Sequence, residues 1–137
     1  MWVVDTCVII DVFQNDPQFG RASTLMLQKL SPQGLCISPV TMVELAAEFD
    51  GNIAAQKKFL IEANIDYTEA WHAADTELAH AAWHAYVTAR RADRTPRRPV
   101  ADILIGAFAM NRSGLITRNP DDFRRWFPKL AIKEPRP

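Results

Sequence analysis

The sequence is poor in cysteine and glycine, has no long apolar run and carries no excess of charge of either sign. Its two cysteines, Cys7 and Cys36, are too few for a disulfide framework, and both stand in apolar contexts where a thiol reads as a small buried hydrophobe. Five glycines are present, and no Gly-rich turn follows the first candidate strand, which excludes the phosphate-cradling loop of a dinucleotide module. The longest apolar runs, such as 103–110, fall far short of the roughly 20 residues needed to cross a bilayer, so no membrane span is expected. Met1-Trp2-Val3-Val4 lacks the basic segment and cleavable apolar core of a signal peptide, and a cytoplasmic location is the expectation.

With 137 residues, 48% hydrophobic and 23% charged, the chain is expected to form one domain, 1–137, around one core. The net charge of zero conceals an asymmetry: residues 1–87 carry 4 basic and 11 acidic side chains, and residues 88–137 carry 12 and 5. A cationic second part suits a polyanion partner, although a merely solvated face has the same composition.

Strands and helices alternate along the sequence. Trp2 to Asp5 reads as a strand ending in a carboxylate, followed by a short helix over Val8 to Phe13. Asp16-Pro17 predicts a helix start, Leu35-Cys36-Ile37 a second strand, and Pro39 a helix packing Val40, Val43, Ala47 and Leu45 inward until Asp50-Gly51. Further helices are expected over 53–63, 71–92 and 100–112, and strands over 65–68, 115–117 and 130–132; Pro120 opens a short helix between the last two. Asp93 to Pro99, with two prolines and no apolar residue, reads as an exposed loop. The alternation predicts an α/β three-layer sandwich with a mostly parallel sheet of four to five strands, its site at the carboxyl ends of the strands.

Four acids fall where such a site would draw on them. Asp5 ends the first strand, Glu44 lies a turn and a half of helix past the second, Asp102 begins a helix, and Asp121-Asp122 follow the fourth. Each alone has an ordinary structural role as a helix cap, a first-turn acid or a solvated residue. Glu44 and Asp102, however, interrupt apolar runs and call for partners. Convergent carboxylates about 4 Å apart repel by roughly 4 kcal/mol per pair at an effective dielectric near 20, which protons or a divalent cation must relieve. Hard oxygen ligands suit Mg²⁺ or Mn²⁺, ions that hold substrate phosphates.

Four segments, in order, resemble the motifs of PIN domains, and most closely those of VapC-type toxins: Asp5-Thr6-Cys7-Val8-Ile9-Ile10, Ser38 to Leu45 around Glu44, Asp102-Ile103-Leu104-Ile105-Gly106-Ala107, and Leu115 to Phe123. The resemblance covers nearly the whole chain. It implies a Mg²⁺- or Mn²⁺-dependent endoribonuclease, a cognate antitoxin that blocks the site, and a homodimer. It carries metal-ligand and catalytic roles to Asp5, Glu44, Asp102 and Asp122, with Thr6 and Asn119 assisting; Asp121 or Asn119 is the alternative at the fourth position. Cys7 replaces the family's usual serine. The chemistry implied is in-line attack of water on phosphorus, which needs no 2′-hydroxyl and leaves 5′-phosphates.

Arg97 and Arg98, beside Arg90, Arg91 and Arg94 around the proline-containing loop, are candidates for RNA phosphates, as is Arg118. His72, His80 and His84 share a helical face but lack a convergent third ligand type, so zinc is set aside. Trp71 and Trp83 read as core or dimer-interface residues in preference to base-stacking platforms. A phosphatase using Asp5 is disfavoured because Cys7 stands where its second acid would be. The rival reading is a catalytically inactive PIN module that binds RNA or a protein.

Overall fold

A computed structural model describes residues 1–93 and 99–137, the side chains of 92 and 93 apart. Five short strands, β1 (Trp2–Val4), β2 (Leu35–Cys36), β3 (Ile65–Asp66), β4 (Gly114–Ile116) and β5 (Ile132–Lys133), form one sheet in the order β3-β2-β1-β4-β5. All four pairings are parallel. The connecting helices are α1 (Thr6–Phe13), α2 (Gly20–Leu30), α3 (Pro39–Glu44), α4 (Ile53–Glu62), α5 (Ala73–Asp93), α6 (Val100–Met110) and α7 (Pro120–Arg124). The expected α/β sandwich with a parallel sheet is therefore the fold observed.

Alternation along the strands divides the core in two. Val3, Cys36 and Leu115 face α5, α6 and α7, meeting Tyr86, Ile103 and Phe108. Trp2, Val4, Leu35 and Ile116 face the other way, onto Ile9, Leu27, Leu45 and Leu60. Because both faces are covered, the strands read as continuous apolar runs. No described helix is long and apolar enough to cross a membrane.

Several boundaries differ from the sequence reading. Asp16-Pro17 does not open α2: the Asp16 carboxylate accepts the N–H groups of Gln18 (2.9 Å) and Phe19 (2.8 Å), closing a separate turn, and the helix begins at Gly20. Helix α3 stops at Glu44, and the chain continues to Gly51 in tighter turns such as Glu48 N–H to Leu45 C=O and Asp50 N–H to Ala47 C=O. Its buried stripe is Thr41, Leu45 and Phe49, four residues apart; Val43 and Ala47, expected inside, are exposed. The last strand is Ile132–Lys133, later than expected, because Leu130 is buried in the core beneath α5–α7 before the chain straightens.

At the amino end of the sheet, the side chain of Asp75, fully buried, accepts from Asn111 Nδ2 (2.7 Å), His72 N–H (2.9 Å) and Arg112 Nη1 (3.2 Å). Arg112 also donates to the carbonyls of Phe108 (2.6 Å) and Ala70 (2.9 Å) and lies 3.5 Å over the Phe108 ring. This cluster joins the start of α5 to the end of α6.

Gly106 fixes how α6 meets α7. A Cβ there would stand 2.5 Å from Phe127 and 3.4 Å from Phe123, so only glycine admits both rings against the helix one turn beyond Asp102. Gly106→Ala is expected to destabilise by about 1–3 kcal/mol through overpacking, despite alanine's better helix propensity. Chemical denaturation checks this; a stabilised variant would show that the rings yield freely.

Candidate functional site

The parallel topology collects one set of loops at the carboxyl edge of the sheet. Asp5 follows β1, Ser38 and α3 follow β2, and Thr117 to Asp122 follow β4. Helix α6 leads back into β4 and therefore starts at this same edge, which puts Asp102, in its first turn, there too. Helix α3 contributes Val40 to one core, and Met42 together with its C-cap Leu45 to the other.

Asp5 is the N-cap of α1 and only 5% exposed. Its Oδ1 accepts the Thr6 N–H (2.8 Å), and its Oδ2 accepts the Thr117 hydroxyl (2.7 Å) and, weakly, the Cys7 thiol (3.4 Å). Burial raises its pKa and Glu44's negative charge adds to the rise; together they outweigh the three hydrogen bonds that lower it. Thr6 links the two acids, since its hydroxyl donates to Glu44 Oε1 at 2.7 Å while its N–H serves Asp5. Glu44 itself is exposed, so the apolar run around it does not bury it. Thr41, buried beneath, stands 3.0 Å from the Thr6 hydroxyl and receives the Ser38 cap at its N–H.

Asp102, Asp121 and Asp122 line a second recess of about 220 Å³ with Tyr86, Pro99, Arg125 and Trp126. Asp102 and Asp122 are half-buried and both engaged by neighbours. Asn119, at the N-terminus of α7, reaches the Asp5 side of the site: its N–H donates to Thr117 Oγ1 at 3.0 Å and its Nδ2 lies 3.9 Å from Cys7 Sγ. The Cys7 thiol is pushed up to about 12 by burial and by the charge of Asp5, and so stays protonated at neutral pH.

Among the described residues, no three of His, Cys, Asp and Glu converge closely enough to hold a metal by themselves. The donor set nevertheless fits a hard divalent cation. Mg²⁺ keeps several waters and takes one or two carboxylates plus substrate phosphates. A pair such as Asp5 and Glu44, whose mutual charge already disfavours ionisation of Asp5, meets that requirement in oxygen chemistry.

Arg118, proposed from the sequence as a phosphate ligand, is partly exposed and already engaged at one edge of its guanidinium. Its Nε donates to Asp11 Oδ2 at 2.6 Å, Ser23 Oγ donates to the same oxygen at 3.2 Å, and the guanidinium lies 4.3 Å over Phe19. The pair ties the exit of β4 to α1 and α2. Arg97 and Arg98 lie outside the described residues. Trp71 stacks against Phe108 with its indole N–H on Thr76 (2.7 Å), and Trp83, 38% exposed, leans on Tyr86. His72, His80 and His84 are exposed along α5 and its entry.

Sequence reasoning missed Thr117, Asp11 and Arg125. Thr117 had a legible signal, a hydroxyl residue one position beyond an apolar strand; Asp11 and Arg125 had none beyond their charge. No curated protein matches the chain. In fold it is similar to the crystal structure of VapBC2 from Rickettsia felis bound to a DNA fragment from their promoter, with a TM-score of 0.67 and 16% identity over 97% of each chain. The PIN-domain family model matches residues 2–126, spanning all the elements that carry these acids, and the chain accordingly belongs to the PIN-domain family.

Proposed function

We propose that this chain is a Mg²⁺- or Mn²⁺-dependent endoribonuclease and the VapC-type toxin of a toxin–antitoxin pair. The observation that carries the reading is Asp5: a nearly buried carboxyl at the end of the central strand, raised in pKa and joined to Glu44 through Thr6. Asp5 caps α1, but a nearly buried carboxyl beside a second acid is costly to the fold when ionised and suits a cation-binding role. PIN domains are nucleases that typically use divalent metals, and the structural neighbour is a toxin–antitoxin complex, which supports the antitoxin partner. A homodimer belongs to the same reading.

In this mechanism Asp5 and Glu44, with Asp102 and Asp122 from the same edge of the sheet, would hold the cation. When bound, the cation supplies positive charge for attack of water on phosphorus and departure of the 3′ oxygen. Thr117 and Thr6 are positioning residues: each donates a hydroxyl proton to one carboxylate and fixes its orientation. Asn119 is held at the mouth by its backbone bond to Thr117. Arg97 and Arg98 offset the repulsion between RNA and the acids, and Arg118 contributes by anchoring the β4 exit loop.

The test is cleavage of single-stranded RNA by purified chain with Mn²⁺, beside a chelated sample, with end-group analysis. Metal-dependent products bearing 5′-phosphates are expected. RNA binding without cleavage under any divalent ion would favour the inactive module instead, and 2′,3′-cyclic phosphate ends would overturn the hydrolytic mechanism.

A further inference from the structure

We propose that Asp11 is a positioning residue of the cleavage reaction: by holding Arg118 it sets Thr117 against Asp5 and keeps that carboxylate oriented for a divalent cation. The inference rests on the metal-dependent reading. Asp11 lies one turn beyond Cys7 on α1, and together they meet three consecutive residues at the exit of β4. Cys7 Sγ lies 4.0 Å from Thr117 Oγ1 and 3.9 Å from Asn119 Nδ2, while the Asp11 carboxylate takes Arg118 between them, Nε to Oδ2 at 2.6 Å. Arg118 is clamped from two directions. The Asp11 side chain, 3% exposed, is itself fixed by Ser23 Oγ at 3.2 Å, and the Phe19 ring supports the guanidinium face at 4.3 Å. Replacing a buried ion pair by apolar residues often leaves stability unchanged, so what such a pair supplies is geometry. Here the geometry reaches the site within one peptide unit. Thr117 Oγ1 accepts the Asn119 N–H at 3.0 Å, which leaves its proton to Asp5 Oδ2 at 2.7 Å, and any shift of Arg118 along the chain moves both bonds.

The experiment titrates Mn²⁺ calorimetrically into the RNA-free protein and follows RNA cleavage and thermal unfolding alongside. Asp11→Asn keeps an acceptor for Ser23 but loses the charge that holds Arg118. It is expected to weaken Mn²⁺ binding about tenfold, the low end for residues that orient metal ligands. With Mn²⁺ saturating, the KM for RNA should stay within about twofold, since the substitution removes no phosphate ligand. In a Thr117→Val background, where the link to Asp5 is already cut, Asp11→Asn should leave the Mn²⁺ affinity nearly unchanged. The pair Asp11→Asn with Arg118→Met, in which no charge is left unmatched, should melt near wild type and show the same loss of affinity. Asn111→Ala, which removes one bond to Asp75 at the amino end of the sheet, should lower the melting temperature with Mn²⁺ affinity intact. An Asp11→Asn variant that binds Mn²⁺ like wild type, an equal loss with and without Thr117, or an equal loss in Asn111→Ala would overturn the proposal. Metal-dependent cleavage by the wild type would then leave the endoribonuclease reading standing. A wild type that neither binds Mn²⁺ nor cleaves RNA would overturn both.

Discussion

Asp5→Asn is expected to reduce RNA cleavage at least about a hundredfold, about 2.7 kcal/mol in activation free energy, while making the metal-free protein more stable at neutral pH. Asn fits the same space. Its Oδ1 can take the Thr6 N–H, and its Nδ2 meets Thr117 Oγ1 and Cys7 Sγ, both able to accept. What it lacks is the charge. Because the folded pKa of Asp5 lies above its ordinary value of 3.8, the folded state holds its proton where the unfolded state has released it. Stability therefore falls as pH rises from the unfolded pKa to the folded one, and the deficit persists above it. Melting both proteins in chelator from acid to neutral pH should show the variant gaining on wild type across that window. A divalent cation that binds only the folded wild type should then reverse the order. Parallel pH profiles, or full activity in the variant, would remove Asp5 from the site.

The largest loss of stability is expected from Arg112→Ala. The side chains of Asp75 and Arg112 are 0% and 7% exposed, and removing the arginine leaves a buried carboxylate with only part of its compensation. Breaking such a pair costs about 3–5 kcal/mol, which for a domain of this size lowers the melting temperature by roughly 10–20 °C. Burial by itself would raise the Asp75 pKa, but the hydrogen bonds from His72, Asn111 and Arg112 outweigh it and hold the carboxyl below its usual range. A depressed folded pKa gives stability that is present above the unfolded pKa and is lost as pH falls through the folded one. Wild type should accordingly unfold more steeply in acid than Arg112→Ala. Pairing Arg112→Met with Asp75→Asn should recover much of the loss, since no buried charge is then orphaned. A single-variant loss below about 1 kcal/mol would mean that water reaches Asp75.

The sheet was legible because its strands are buried on both faces, so Trp2-Val3-Val4 and Leu115-Ile116 announce themselves by apolarity alone. The acids were legible by position, each just beyond a strand or at a helix start. The packing of α3 was not. Its residues form one short helix and then turns, and a periodicity fitted to Val40, Val43 and Ala47 assumed a helix that the backbone does not continue. Apolarity also misled at Glu44, where an exposed Val43 beside it simulated a buried setting. Arg118 showed the opposite limit: sequence supplies its charge, but that Asp11 holds it follows only from the crossing of α1 with the loop after β4. That Asp5 joins Glu44 through Thr6, while Asp102 shares a recess with Asp121 and Asp122, was likewise invisible in the linear order.

The central place of β1 has a consequence for how this protein is made. Synthesis delivers the amino terminus first, yet β1 pairs with β4, and Asp5 receives its strongest hydrogen bond from a residue 112 positions later. At about 5–20 residues per second, roughly 6–22 s separate the emergence of the two partners. During that interval the earliest strand can pair only with β2 and has its other edge open, a vulnerable arrangement for a growing polypeptide on a crowded ribosome. The same delay acts as a safeguard. Until Thr117 is made, the Asp5 carboxyl lacks its hydrogen bond from that hydroxyl, so the acid pair of the proposed site is completed only after β4 has been synthesised.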